Sequence, residues 1–262
     1  VKPAFVLAPA RQVQQVPSSP AVRARSVLQV NWPPTCMTPE RLRADEPIVA
    51  LCTSIGVDVF RGHPTDLLAR HYWAARMRGA DVVVKIPSDC PLVDPRIIDR
   101  VISFYMANPH DYDFVSNLHP ATYPDGNDVE VISFEALEKA FRLACRPIDR
   151  EHTTPFFWTQ PERFRIGNVR WGTGLDYSLS HRWVVDYPED YELVRRIYQA
   201  LEPIRGSLFS LRDILALVSR WPFLMEINAA HRGSSWMAAE AHELCGSRTH
   251  AAELEERIAC NE

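Results

Sequence analysis

The chain has 262 residues, 46% of them hydrophobic and 24% charged, with a net charge of −4. That is ordinary for one large α/β domain or two small ones, and it lacks the basic excess of a nucleic-acid binder. The six cysteines (Cys36, Cys52, Cys90, Cys145, Cys245 and Cys260) are scattered, with no CxxC pair, zinc-spaced Cys/His set or membrane-length apolar run, so reduced thiols and a cytoplasmic location are expected.

The charge is uneven. Residues 1–44 hold six Lys/Arg against one acid, Glu40, and seven of the 21 prolines, and the first glycine of the chain is Gly56. A Pro-rich, basic, Gly-free start joined to a balanced chain is a composition shift. Residues 1–44 therefore read as an atypical, poorly folded segment in which only 4–7 and 26–30 have strand character. Residues 45–225 read as the folded domain, and 226–262 as a helical but weakly anchored tail. No charged-then-apolar leader is read at the start.

From residue 45 the pattern alternates between helix and strand. A helix is predicted over 46–55, with Ile48, Leu51, Cys52 and Ile55 on one face and Gly56 ending it. A strand over 57–60 and a turn, Arg61-Gly62-His63-Pro64, lead to a helix from Thr65 or Asp66 to Arg78. Its inward residues are Leu67, Leu68, Tyr72 and Ala75, and Gly79 closes it. Then comes the clearest strand of the chain, 82–86, with Val82-Val83-Val84 at its start. Strand, helix, strand with short connections implies parallel strands and right-handed crossovers. Asp89 lies just past the carboxyl end of that strand, where open parallel sheets bind ligands. A carboxylate there suits Mg²⁺, which takes one or two carboxylates plus substrate phosphates. Asp is equally a turn or cap residue, but Asp94-Pro95 offers a better cap for the next helix, 96–106.

A strand over 113–116 and a turn-rich loop over 119–128 precede a strand over 129–132, in which Glu130 faces away from Val129 and Val131. Ser133 caps a helix over 134–143. A helical segment over 155–160, a strand over 164–169 and a polar loop over 170–180 follow. A short strand, Trp183-Val184-Val185, ends at Asp186. Pro188, Glu189 and Asp190 then open a helix whose inward residues are Tyr191, Val194, Ile197, Tyr198 and Leu201. Ser210 caps a further helix, 211–219. Asp89 and Asp186 each end an apolar strand, and each has a proline two residues on. If both strands share one sheet, the two carboxylates face one crevice and suit a cation held against a nucleotide's phosphates. The competing reading of Asp186 is a helix cap.

Five blocks stand in order: VFRGHPTDLLARHY (59–72), ADVVVKIPSDCPLVDPRIIDRVI (80–102), YPDGNDVEVISFEALEKA (123–140), REHTTPFF (150–157) and HRWVVDYPEDYELVRRIY (181–198). Together they resemble the cytidylyltransferases that activate sugar acids. This is the group of CMP-KDO synthetase and acylneuraminate cytidylyltransferase, and the nearest branch is that of spore-coat polysaccharide biosynthesis protein F. The resemblance implies an α/β fold: a Rossmann-like, GT-A type nucleotide-diphospho-sugar transferase three-layer sandwich. It implies transfer of CMP from CTP to a sugar or sugar acid with release of pyrophosphate, Mg²⁺ as cofactor, a role in surface or spore-coat polysaccharide synthesis, and a homodimer.

By the same resemblance Asp89 and Asp186 are the catalytic, metal-holding acids. Arg61 and Asp66 lie near the nucleobase and ribose, and Asp125, Asp128 and Glu130 are on the sugar side. Arg150, Glu151 and His152 form a polar cluster near the substrate. One departure stands out. Family members open with a glycine-containing loop of the form QARxGSxRxPGK, whose nearest counterpart here, Ala8-Pro9-Ala10-Arg11, has no glycine. A start read in a shifted frame would explain that, and would leave the sheet without a central strand. A catalytically impaired nucleotide-binding homologue therefore stays open as an alternative. So does a glycosyltransferase using a nucleotide sugar, which shares the sheet and the metal logic.

Overall fold

The computed structural model describes the backbone of residues 5–7 and 25–31, and residues 45–206 and 208–234 in full. Strands β1 (Phe5–Leu7), β2 (Arg25–Asn31), β3 (Asp58–Gly62), β4 (Val82–Lys85), β5 (Phe114–Ser116), β6 (Glu130–Ser133) and β7 (Ile166–Asn168) form one sheet in the order β3-β2-β1-β4-β6-β5-β7. β6 runs antiparallel to both its neighbours, and the other pairings are parallel. The strand character expected at 4–7 and 26–30 is present as β1 and β2, and β1 pairs with β2 on one side and β4 on the other, so the sheet has its central strand. From β1 the strand order runs outward through β2 and β3, then returns to place β4 on the opposite side. That reversal is the switch point at which such sheets open a ligand crevice.

Helices α1 (Glu46–Ser54), α2 (Leu67–Arg78), α3 (Pro95–Ala107), α4 (Phe134–Leu143), α5 (Pro147–His152), α6 (Pro155–Trp158), α7 (Pro188–Arg205), α8 (Leu211–Arg220) and α9 (Phe223–Glu226) pack around it. Alternation along the strands divides the core into two layers. Val82, Val84, Val115 and Val131 point to one face and pack with Ile98 and Val101 of α3, Leu193 and Ile197 of α7 and Ile214 of α8. Val83, Phe114 and Ile132 point to the other and pack with Leu68 and Tyr72 of α2, Leu137 of α4 and Phe157 of α6. Each such aliphatic side chain, fully buried, stabilises the fold by about 1.5–3 kcal/mol.

The caps follow the sequence. Asp66 accepts from Ala69 N at the start of α2, Gly79 ends that helix at φ 60°, and Ser133 accepts from Ala136 N at the start of α4. Asp94 caps α3 through Arg96 N and also accepts from Leu211 N at 2.8 Å, tying α8 to α3.

Several expectations are corrected. Arg61 and Gly62 extend β3, paired with Val30 and Asn31, instead of forming a turn. On α1 only Cys52 is buried, and Ile48 and Leu51 are exposed. Trp183-Val184-Val185 is not a strand: these residues hydrogen-bond to loops, Trp183 N to Asp125 O and Val185 N to Asp89 O. The inward stripe of α7 is Asp190, Leu193, Val194, Ile197 and Leu201, so Tyr191 faces solvent. The chain beyond Glu226 is anchored as far as Ser234: Asn228 is 1% exposed and donates to Arg182 O and to Asp190 Oδ1. Most of the basic N-terminal segment and the tail from residue 235 lie outside the described residues.

Candidate active site

A cavity of about 540 Å³ opens where β4 ends. Its walls come from that strand end (Lys85 to Asp89), the loop 117–128, β6 through Glu130, the end of α5, and the segment from Ser178 to Asp186. Gly126 lets the 123–128 loop close on that last segment. Its φ is 94°, and a Cβ there would lie 2.8 Å from the carbonyl carbon of Trp183. The loop is held further by Asn117, which donates to Asn127 O and accepts from Val129 N.

Asp89 and Asp186 both line this cavity, and the two segments that carry them are stitched by the hydrogen bond from Val185 N to Asp89 O at 2.9 Å. Neither acid is spent as a helix cap. Asp94 caps α3, and the buried Asp190 accepts from Asp186 N and Tyr187 N at the start of α7. Burial pushes the Asp89 carboxyl up, and its repulsion by Asp186 adds to the rise. Among the described residues no three His, Cys, Asp or Glu side chains gather as a metal site. Two carboxylates that repel each other fit Mg²⁺, which takes its remaining ligands from phosphate and water.

Arg182 stands behind the acids. Its side chain is 3% exposed and bonds to Asp186 Oδ2 at 2.5 Å, Asp190 Oδ2 at 3.0 Å and Asp125 Oδ2 at 3.4 Å, as well as to Ser234 O at 2.9 Å. On the far wall, register places Lys85 opposite Glu130, and Lys85 Nζ donates to Glu130 Oε2 at 2.6 Å. Burial opposes the Lys85 charge, but Glu130 outweighs it and raises the ammonium pKa. Asp128 is enclosed beside Asp125, Glu130 and Asp89, and burial and these neighbours push it up to about 8. Asp125 rises to about 6, through burial and against the pull of Arg182.

Three histidines line the same space. His71 on α2 is held neutral by burial, its pKa pushed down to about 3. A neutral ring donates from Nδ1 to Leu67 O at 2.7 Å, which leaves Nε2 as an acceptor. His119 stacks on Trp158 at 4.5 Å between ring centroids, and burial lowers its pKa. His152 follows Glu151 at the end of α5. Thr153, next in the chain, has φ 71° and is fully buried. A β-branched residue in that region is strained, and such strain gathers at sites whose surroundings hold it in place.

Seven of the ten residues singled out in the sequence thus meet here: Asp89, Asp125, Asp128, Glu130, Glu151, His152 and Asp186. Three do not line the cavity. Arg61 pairs with Glu46 at 2.7 Å on the sheet edge. Asp66 and Arg150 pair with each other at 2.5 Å and are used in capping α2 and holding Phe141 O. Sequence reading passed over Lys85, His71 and Arg182. For Lys85 the signal was a lone cation at the end of an apolar strand. For Arg182 it was an arginine four residues before one acid and eight before another. His71 gave no signal apart from the hydrophobic stripe it interrupts.

Residues 42–204 match the family model for cytidylyltransferases. The chain belongs to the cytidylyltransferase family. It is 31% identical over 198 residues to the uncharacterized protein MJ1063 of Methanocaldococcus jannaschii, covering 76% of this chain and 78% of that one. It is 26% identical over 156 residues to the spore coat polysaccharide biosynthesis protein SpsF of Bacillus subtilis, covering 59% and 62%. In fold it is similar to a cytidylyltransferase from Leptospira borgpetersenii serovar Hardjo-bovis (TM-score 0.72, 21% identity, 89% of this chain and 97% of that). It is also similar to a CMP:2-keto-3-deoxy-manno-octonic acid synthetase complexed with CTP (TM-score 0.51, 11% identity, 76% and 99%). These likenesses agree with a Rossmann-like α/β fold. No helix among the described residues is long and apolar enough to cross a membrane.

Proposed function

We propose that this cytidylyltransferase moves CMP from CTP to a sugar and releases pyrophosphate, in the synthesis of a surface polysaccharide. The observation that carries the reading is the pair Asp89 and Asp186, on two stitched segments, facing one cavity at the end of β4. Asp89 and Asp186 would hold Mg²⁺, which when bound offsets the charge of the triphosphate and of the leaving pyrophosphate. Phosphoryl transfer asks little covalent work of a protein, so the task of the chain is positioning. Arg182 fixes the Asp186 carboxylate through Oδ2, and the Val185–Asp89 bond fixes the spacing of the two carriers. The Lys85–Glu130 pair anchors the opposite wall. A second reading, a homologue that binds the nucleotide without turning it over, is favoured by one observation: the first 44 residues contain no glycine from which a phosphate loop could be built.

Calorimetry of CTP with and without Mg²⁺, on wild type and Asp89→Ala, tests the site. Magnesium-dependent binding that the variant loses is expected. A folded wild type that binds no CTP would refute the proposal. Binding without pyrophosphate release across a sugar panel would select the second reading.

A further inference from the structure

A short segment past α9 reaches back to the acids. It lies beyond the family match, which ends at residue 204. One turn of 3₁₀ helix, Ala229–His231, leads into a tight turn: His231 N donates to Asn228 O at 3.0 Å, and Ser234 N to His231 O at 3.1 Å. The second turn has type II geometry, with Arg232 at φ −62°, ψ 136° and Gly233 at φ 73°. Such a turn calls for glycine at its third position, with asparagine as the accepted substitute.

Residues Asn228, His231 and Ser234 all meet the segment that carries Asp186. Asn228 Nδ2 donates to Arg182 O and Asp190 Oδ1. The His231 ring stacks on Tyr187, the neighbour of Asp186, at 3.9 Å between centroids. Ser234 O accepts from Arg182 Nη1 at 2.9 Å. This last contact sets how Arg182 is turned. Its guanidinium is a rigid planar fork. Nη2 serves Asp186 Oδ2 and Asp190 Oδ2, whereas Nη1 has Asp125 Oδ2 at 3.4 Å and the closer Ser234 O. Without that carbonyl, Nη1 is drawn to Asp125 alone, the plane rotates, and Nη2 leaves Asp186. With it, Asp186 Oδ2 is occupied and Oδ1 is left for a cation.

We propose that residues 228–234 are a positioning strap for the metal site: the Gly233 turn delivers Ser234 O to Arg182, and Arg182 holds the Asp186 carboxylate in the orientation that binds a divalent cation. The inference rests on the Mg²⁺ reading above, and extends its working parts beyond residue 204.

The test is Mn²⁺ titration of the full chain without nucleotide, followed by electron paramagnetic resonance. Wild type is expected to bind Mn²⁺ at a site that Asp89→Ala loses. A Cβ at position 233 would meet no heavy atom within 4 Å, so substitution there acts through the backbone. Valine is strained at positive φ and asparagine tolerates it. Gly233→Val is expected to bind Mn²⁺ about tenfold more weakly, the lower end of what loss of an outer-shell partner costs. Gly233→Asn is expected to stay within about twofold of wild type. If Gly233→Val does not fold, His231→Ala carries the same expectation of weakened binding. A strap that only stabilised the fold would change melting temperature and leave the Mn²⁺ affinity of the folded chain as it was. The proposal is overturned if the folded variants bind Mn²⁺ like wild type, if the Val and Asn variants weaken alike, or if wild type has no Mn²⁺ site that Asp89→Ala loses. Failure of the nucleotide reading appears separately, as absent CTP binding in calorimetry, and leaves the Mn²⁺ ranking intact.

Discussion

Asp128 shows how one residue can be arranged for function at a cost to the fold. Its carboxyl is pushed up to about 8 by burial beside Asp125, Glu130 and Asp89. In the unfolded chain it titrates near its ordinary value, about 3.9. The folded protein therefore holds a proton that the unfolded chain gives up above about pH 4. The stabilisation is complete below that pH and is lost as pH rises toward about 8. Asn has no such proton to lose. Asp128→Asn is thus expected to match wild type in melting temperature at pH 4 and to exceed it at pH 8 by well over the roughly 2–4 °C that about 1 kcal/mol produces in a chain of this size, because a carboxyl moved from about 3.9 to about 8 is worth several kcal/mol. Equal melting temperatures at both pH values would show that the carboxyl is not held protonated. The residue was visible in the sequence as one acid of the Gly126-Asn127-Asp128-Val129-Glu130 run. Its protonation was not, because that depends on Asp89, about forty positions earlier in the chain.

At the scale of elements, what matters is how the segment before α7 is fastened. Asp190, on the first turn of α7, is fully buried and serves Asp186 N, Tyr187 N, Arg182 and Asn228 together. Removing it leaves the Arg182 guanidinium buried without its main counter-charge. Asp190→Ala is expected to cost about 3–5 kcal/mol in urea unfolding. A loss below about 1 kcal/mol would mean that Arg182 is satisfied by Asp186 and Asp125 alone. Asn228→Ala removes a neutral amide that donates to Arg182 O and Asp190 Oδ1, and is expected to cost about 1–3 kcal/mol. Sequence reading found α7, its proline start and its buried Val194, Ile197 and Leu201, but also set Tyr191, which is exposed, on the inward face. Tyrosines at helical spacing mimic a core stripe, whereas here a charged residue, Asp190, occupies the buried face. For the same reason Trp183-Val184-Val185 read as a strand. An apolar run reports burial, and only tertiary structure says whether its backbone finds a strand or a loop to pair with.

At the scale of the whole molecule, the sheet depends on one of its three-residue strands, β1. β3 to β7 were largely legible, because each is a short apolar run between turn residues. The antiparallel setting of β6 was not, since nothing local distinguishes the two directions of pairing. The basic, Gly-free start read as poorly folded apart from strand character at 4–7 and 26–30, and there β1 pairs Phe5 and Val6 to β2 and Phe5 to Leu7 to β4. A strand of three residues offers almost no periodicity, and its position comes from the two ladders it completes. Those ladders join the β2–β3 edge to the half of the sheet that carries Asp89. Val6→Pro removes a backbone donor and fixes φ in a strand paired on both sides, where proline is not tolerated. The expected result is a loss of about 3 kcal/mol or more in urea unfolding, with weakened CTP binding, because β1 pairs with β4, whose carboxyl end leads to Asp89. If Val6→Pro instead unfolds like wild type, β1 does not hold the sheet together, and the domain beginning at residue 45 carries its own stability. Circular dichroism of a chain truncated at residue 45 separates the same two cases: loss of the folded spectrum supports the central strand, and retention of it argues against one.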